Sequence, residues 1–312
     1  MSTITTKQDN TASDPQQKSR VQAYVELTKL RISVMVLFTF AAAAFLAAGT
    51  ASGALDQPLT LTLLLGAMMG MLGIAASGNA MNMYLERYSD FLMPRTAKRP
   101  LPAQRLSATE VATFGAVSFG VGVGFLLALV NWETAACGVA NWILYVFIYT
   151  PLKRKTHLNT EIGAVAGAMP VVMGSLAATH SVGLVCWAFF AVLFLWQFPH
   201  FMAIAWMYRN DYRSGGLKML TVTEPTGAAA GRKAIFTGVL LILASLVPVL
   251  AMRTSVHVWV FSILAVLLGL FYLKAAIAFN GSRTDPVARK LLRVSILYLP
   301  LYMILLLVGC LT

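Results

Sequence analysis

The chain has 312 residues, of which 58% are hydrophobic and only 12% charged, about half the charged share of an ordinary soluble domain. That balance excludes a water-soluble globular enzyme and indicates a polytopic membrane protein. The formal net charge is +12, yet no basic cluster carries the interleaved aromatic residues of a nucleic-acid platform, so nucleic acid is excluded as a partner.

In chain order, residues 1–22 are polar and lack the short apolar core of a secretory signal. They are expected to form a disordered tail, leaving residues 23–312 as one transmembrane domain. Apolar runs long enough to cross about 30 Å of hydrocarbon follow near residues 33–49, 60–85, 109–130, 134–150, 161–179, 183–207, 235–252, 256–279 and 291–311. This pattern predicts an all-α bundle of nine transmembrane helices. Of the 24 Lys and Arg residues, 23 fall in alternate connections and only Arg253 on the other side. By the positive-inside rule the N-terminus is cytoplasmic and the C-terminus outside. Cys137, Cys186 and Cys310 lie in or near the spans without metal-ligand spacing and are expected to be packing residues.

The second span ends with Asn82, Glu86 and Asp90, one oxygen-bearing side chain every four residues and so on one helical face. Arg95, Lys98 and Arg99 follow, in a loop stiffened by Pro94, Pro100 and Pro102. A hard divalent cation with an anionic ligand suits such a site, because Mg²⁺ is commonly held by one or two carboxylates plus phosphate oxygens. Spacing alone leaves a second reading open, in which Glu86 and Asp90 merely pair with Arg87 and Arg95 at the membrane interface.

The fourth span closes on Lys153, Arg154 and Lys155, a pattern also expected of a stop-transfer cluster, with Asn159 or Thr160 placed to cap the next helix. Gly163, Gly167, Gly174 and Pro170 mark that fifth helix as closely packed or cavity-lining. In the sixth span His200 follows Pro199 in an aromatic run. A neutral imidazole ligates haem iron in other proteins, and a lone His on an apolar face also serves as a hydrogen-bonded packing residue. The loop that follows again places an acid, Asp211, among cations. It occupies the position of residues 86–108 four helices earlier, which hints at a repeat with a site between the halves.

These segments together resemble the protoheme IX farnesyltransferase (haem O synthase) branch of the UbiA superfamily of intramembrane prenyltransferases. The similarity is carried by Asn82-x-x-x-Glu86-x-x-x-Asp90 with Met93, Arg95, Thr96, Arg99, Pro100 and Leu101. It continues through Tyr149-Thr150-Pro151-Leu152-Lys153-Arg154-Lys155-Thr156 with Asn159, through Trp196-Gln197-x-Pro199-His200-Phe201, and through Asp211-Tyr212-x-x-Gly215, running from about Tyr24 to the last span. The resemblance implies a helical bundle around a central cavity open to the cytoplasmic face. It also implies Mg²⁺ as cofactor, held by Asn82, Glu86, Asp90 and Asp211, which would be the catalytic set. The substrates implied are farnesyl diphosphate and haem b, bound by Arg95, Lys98, Arg99, Tyr149, Lys153, Arg154, Asn159, His200, Tyr212 and Arg213. The product would be haem O, made in a bacterial inner membrane and passed to a haem A synthase or an oxidase assembly factor.

Three positions depart from the wider pattern. Met207 stands four residues before Asp211 where many superfamily members carry a second acid, a reduction similar to the haem branch. Lys29-Leu30-Arg31 lacks a proline between its cations, and Glu86 replaces the commoner Asp. Transporters place polar residues and broken helices near the bilayer midplane, whereas the acids here lie at helix ends. A prenyltransferase acting on a quinone-ring precursor and a non-catalytic haem-binding factor are the remaining alternatives.

Overall fold

The computed structural model describes residues 19–50, 60–252 and 255–311. Every regular element among them is a helix, and nine helices are long and apolar enough to cross a membrane: α1 (Arg20–Thr50), α2 (Leu61–Leu92), α3 (Ala108–Leu129), α4 (Trp132–Lys155), α5 (Asn159–Thr179), α6 (Leu184–Met207), α7 (Ala228–Ala251), α8 (Val256–Ser282) and α9 (Asp285–Cys310). Their outward faces carry bare apolar side chains such as Phe38, Val117, Trp259 and Leu267. A surface of this kind is stable against hydrocarbon and not against water. The nine expected spans are therefore present, whereas Arg253 and most of the expected tail lie outside the described residues.

The expected tail boundary at residue 22 is corrected by the first helix. Ser19 Oγ accepts from the Gln22 amide at 3.2 Å while Gln22 Oε1 accepts from the Ser19 amide at 3.1 Å. This reciprocal cap starts α1 at Arg20. Ala23 and Leu27 then bury against Leu101, Leu106 and Val111, and Glu26 pairs with Arg105. At Lys29 the helix breaks: the residue is left-handed, with φ 47°, and the chain resumes helical from Leu30.

Helices α2 and α3 approach closely because neither has a side chain at the contact. A Cβ on Gly73 would stand 2.7 Å from Gly122 Cα, and one on Gly122 would stand 2.7 Å from the Ile74 amide nitrogen. Backbone contact of this kind replaces the hydrophobic drive that lipid does not supply. In α4 six residues, Leu144–Tyr149, form a π-helical turn, which inserts one residue into the helical repeat and re-aims the aromatic residues that follow. Cys186 is buried with its thiol 3.6 Å from the Ala43 carbonyl, and all three cysteines are free.

The long connections after α2 and α6 meet at one end of the bundle. Ser214 Oγ donates to the Leu92 carbonyl at 3.1 Å, and the Lys218 amide donates to the Lys153 carbonyl at 2.7 Å. The short helix Arg209–Ser214 is thereby clamped over the ends of α2 and α4.

Candidate active site

Under that clamp lies a cavity of about 640 Å³. Asn82, Glu86 and Asp90 descend one face of α2 into it, as their spacing predicts, and all three are buried. Neither acid pairs with Arg87 or Arg95. Asp90 Oδ2 is 2.6 Å from Arg99 Nη1, while its Oδ1 is buried without a hydrogen-bond partner. Glu86 Oε1 has only the Lys153 ammonium, at 2.8 Å in a direction that makes an ion pair and not a hydrogen bond. Buried carboxylates are tolerated when paired, and here each is paired through one cation with acceptor capacity left over.

That spare capacity tests the fit of a divalent cation. An unpartnered Asp90 Oδ1 one helical turn from Glu86 supplies two anionic oxygen donors on one face, a partial shell of the type Mg²⁺ accepts when phosphate oxygens and water complete it. Asn82 is less free: its Oδ1 lies 3.3 Å from Lys29 Nζ and its amide nitrogen donates to Thr150 Oγ1 at 3.1 Å. Among the described residues no group of three His, Cys, Asp or Glu converges, so the protein side of a metal site rests on this pair.

Cations frame the acids from three elements. Lys29 reaches in from the break in α1, Arg99 from the proline-rich loop, and Lys153 from the end of α4, where its ammonium also sits 4.4 Å from the Tyr149 ring centre. Arg95 stacks on Tyr208 at 4.8 Å and Tyr212 at 5.7 Å. Burial pushes the Tyr212 phenol above its ordinary range despite the Arg95 charge, so it remains a hydrogen-bond donor at neutral pH. Four cations and a phenol around two carboxylates make a site suited to a multiply charged anion bound with a metal.

His200 lines the same cavity, stacked on Trp196 at 4.8 Å. Ser295 spends its hydroxyl proton on the Leu292 carbonyl at 2.6 Å, so its oxygen accepts from His200 Nδ1 at 2.7 Å. A ring protonated on Nδ1 fits this arrangement and keeps its Nε2 lone pair free.

Of the expected site residues, the structure brings Asn82, Glu86, Asp90, Arg95, Arg99, Tyr149, Lys153, Asn159, His200 and Tyr212 to one cavity. Four others do not line it. Arg154 turns outward and donates to Ser89 Oγ at 2.6 Å, and Lys98 and Arg213 are exposed. Asp211 fails because α6 ends at Met207 and the chain bends at Tyr208 (φ −109°, ψ 22°). The four-residue spacing from Met207 therefore does not continue one helical face, and Tyr212 enters the cavity instead. Asn159 does not cap α5; its amide nitrogen donates to the carbonyls of Thr156 at 2.7 Å and Lys218 at 3.3 Å. Lys29 and Tyr145 are cavity-lining residues that sequence reasoning did not assign to the site. The unusual Lys-Leu-Arg at the break in α1 was the available signal for the first.

A model of the UbiA prenyltransferase family matches residues 35–299. Relatives named protoheme IX farnesyltransferase include one from Solibacter usitatus, 40% identical over 281 residues, covering 89% of this chain and 95% of that protein. Another, from Salinibacter ruber, is 41% identical over 246 residues, covering 79% and 86%. Among solved structures, a digeranylgeranylglyceryl phosphate synthase superposes with TM-score 0.74 at 15% identity, covering 94% of this chain and 99% of that one. A UbiA homolog from Archaeoglobus fulgidus bound to DMAPP and Mg²⁺ gives 0.66 at 16% identity, covering 92% and 99%. These likenesses show the fold, and the sequence matches show the lineage. The chain is an integral membrane protein that belongs to the UbiA prenyltransferase family.

Proposed function

We propose that this protein transfers the farnesyl group of farnesyl diphosphate to a vinyl group of haem b, giving haem O and diphosphate. The observation that carries the reading is the coexistence, in one cavity, of the paired carboxylates Glu86 and Asp90 with an imidazole whose Nδ1 lies 2.7 Å from Ser295 Oγ. Mg²⁺ held by Glu86 and Asp90 would supply Lewis-acid neutralisation of diphosphate charge, as divalent cations do at phosphoryl oxygens. The names of the relatives and the ligands of the Archaeoglobus fulgidus structure support both substrate classes.

The chain's own groups do the rest. Lys29, Arg95, Arg99 and Lys153 surround the position of the diphosphate and stabilise the negative charge that grows as the C1–O bond breaks, its electron pair leaving with the diphosphate. Tyr212 donates to the same oxygens. His200 presents Nε2 to the iron of the haem substrate and so fixes the porphyrin relative to C1. The vinyl terminal carbon bonds to C1, and water adds to the adjacent cationic carbon with loss of a proton, leaving a hydroxyethylfarnesyl group. The aliphatic and aromatic lining excludes bulk water, which would otherwise capture the allylic cation first.

The distribution of basic residues supports a cytoplasmic N-terminus, an outward C-terminus and a cavity served from the cytoplasmic face of a bacterial inner membrane. The product would then pass to a haem A synthase or an oxidase assembly factor. Incubating the purified protein with Mg²⁺, farnesyl diphosphate and haem b tests the reading. The expected product is a haem heavier by one farnesyl group and one hydroxyl, lost on chelation of Mg²⁺. Unmodified haem, with farnesylation of a quinone-ring acceptor instead, would overturn it.

A further inference from the structure

Residues of several helices line the far end of the cavity, its floor. Its lining ends at Met71 on α2, at Met173 on α5, at Asn141 on α4 and at Thr39 on α1. Met71 lies fifteen residues before Glu86 and Met173 fourteen after Asn159, which at 1.5 Å per residue places the floor about 21 to 22 Å from the charged end along those helices. Beyond it Met71, Ile74 and Met173 join Leu126 in a closed apolar cluster.

The floor is seated in a notch. A Cβ on Gly138 would stand 2.8 Å from Ile74 Cδ1 and 2.9 Å from Met173 Cε, so the tips of both side chains occupy the space that Gly138 leaves open on α4. Gly138 itself does not line the cavity. At the roughly 1.2 Å per bond that an extended backbone covers, farnesyl diphosphate spans about 18 Å and geranylgeranyl diphosphate about 23 Å. Measured from Glu86 and Asn159, the first ends about 3 Å above the floor, whereas the second is as long as the path or longer.

We propose that Met71, together with Ile74 and Met173 seated against Gly138, forms a chain-length stop that selects a fifteen-carbon isoprenoid, an inference that rests on the farnesyl-transfer reading. Two substitutions move the floor in opposite directions. Met173→Ala removes the sulfur and methyl that fill the Gly138 notch and deepens the chamber. Gly138→Ala drives two flexible side-chain tips back into it and makes it shallower.

The test offers geranyl, farnesyl and geranylgeranyl diphosphate together with haem b and Mg²⁺ and reads the product masses. Wild type should favour the fifteen-carbon chain. Met173→Ala should raise the twenty-to-fifteen carbon ratio about tenfold, and Gly138→Ala should raise the ten-to-fifteen carbon ratio several-fold. Ratios within twofold of wild type in both variants overturn the stop. Affinities for the three unreactive thiolodiphosphates, measured without haem, report the same ladder independently of the acceptor. A ladder that peaks at fifteen carbons and shifts in the variants supports the stop even where no haem product forms, a result that would sink only the choice of acceptor. A flat ladder overturns the stop itself.

Discussion

Asp90 and Arg99 are nine residues apart and joined by a 2.6 Å ion pair that occupies only one carboxylate oxygen, leaving Oδ1 buried and unpartnered. The arginine holds the acid in place without saturating it. Removal of one partner from a buried pair typically costs about 3–5 kcal/mol, because the remaining charge is left uncompensated. Arg99→Gln is therefore expected to lower the unfolding temperature in chelator and to recover more stability on Mg²⁺ addition than wild type does. Asp90→Asn should retain the fold but lose about 10²-fold or more in kcat. Thermal unfolding with and without Mg²⁺, beside turnover, checks both.

Lys29 joins a charge to a backbone break, and two substitutions separate them. Lys29→Gly keeps the left-handed conformation at no steric cost but removes the ammonium 3.3 Å from Asn82. Lys29→Arg keeps the charge. The glycine variant is expected to raise KM for farnesyl diphosphate about tenfold, a loss of about 1.4 kcal/mol, with the arginine variant nearer wild type. An unchanged KM in both would remove Lys29 from the diphosphate site.

Tyr212 is held protonated by burial beside Arg95. Loss of its hydroxyl in Tyr212→Phe leaves the ring for Arg95 to stack on and deletes one donor, worth about 0.5–1.5 kcal/mol. A rise in KM of a few-fold with an intact fold is expected. Steady-state kinetics against farnesyl diphosphate at saturating haem measures it.

Ser295→Ala removes the acceptor of the His200 Nδ1 proton without touching the ring face that stacks on Trp196. Partners that orient a metal-ligating histidine commonly contribute 10- to 100-fold in affinity. Haem titration should show weaker binding in Ser295→Ala and loss of the ligated absorption spectrum in His200→Ala. An unaltered spectrum in the latter would place His200 among packing residues.

At the α2–α3 contact Gly122→Ala pushes a methyl against the Ile74 amide nitrogen and the Gly70 carbonyl, backbone atoms that cannot rotate away. Overpacking of this kind costs about 1–3 kcal/mol. Gly120, two residues earlier, faces open space, so Gly120→Ala should be neutral or stabilising by the helix propensity difference of about 1 kcal/mol. Unfolding in detergent compares the pair.

The spans and the acidic face of α2 were legible because hydropathy and four-residue spacing are properties of single helices. Lys98, Arg154, Asp211 and Arg213 were misplaced because charge and spacing do not reveal where a helix ends. The bend at Tyr208 takes Asp211 off the face it would share with Met207 and delivers Tyr212. Arg154 donates to the buried Ser89 on α2, away from the cavity, while its neighbour Lys153 turns to Glu86. Tyr145 stands four residues before Tyr149 and eight before Lys153, so the four-residue spacing that marks the acidic face of α2 was available on α4 as well.

The π turn at Leu144–Tyr149 makes residue number as important to α4 as residue type. Deletion of a single residue there would restore an ordinary helix and keep the two halves of the span in phase, because the wide turn absorbs just that residue. Winding the same residues into an ordinary helix without the deletion would instead swing Asn141 and Lys153 apart by about 100°. A one-codon gap in this segment of a homologous gene is thus a sign of an unbroken helix with the same wiring between the anionic end of the chamber and its floor.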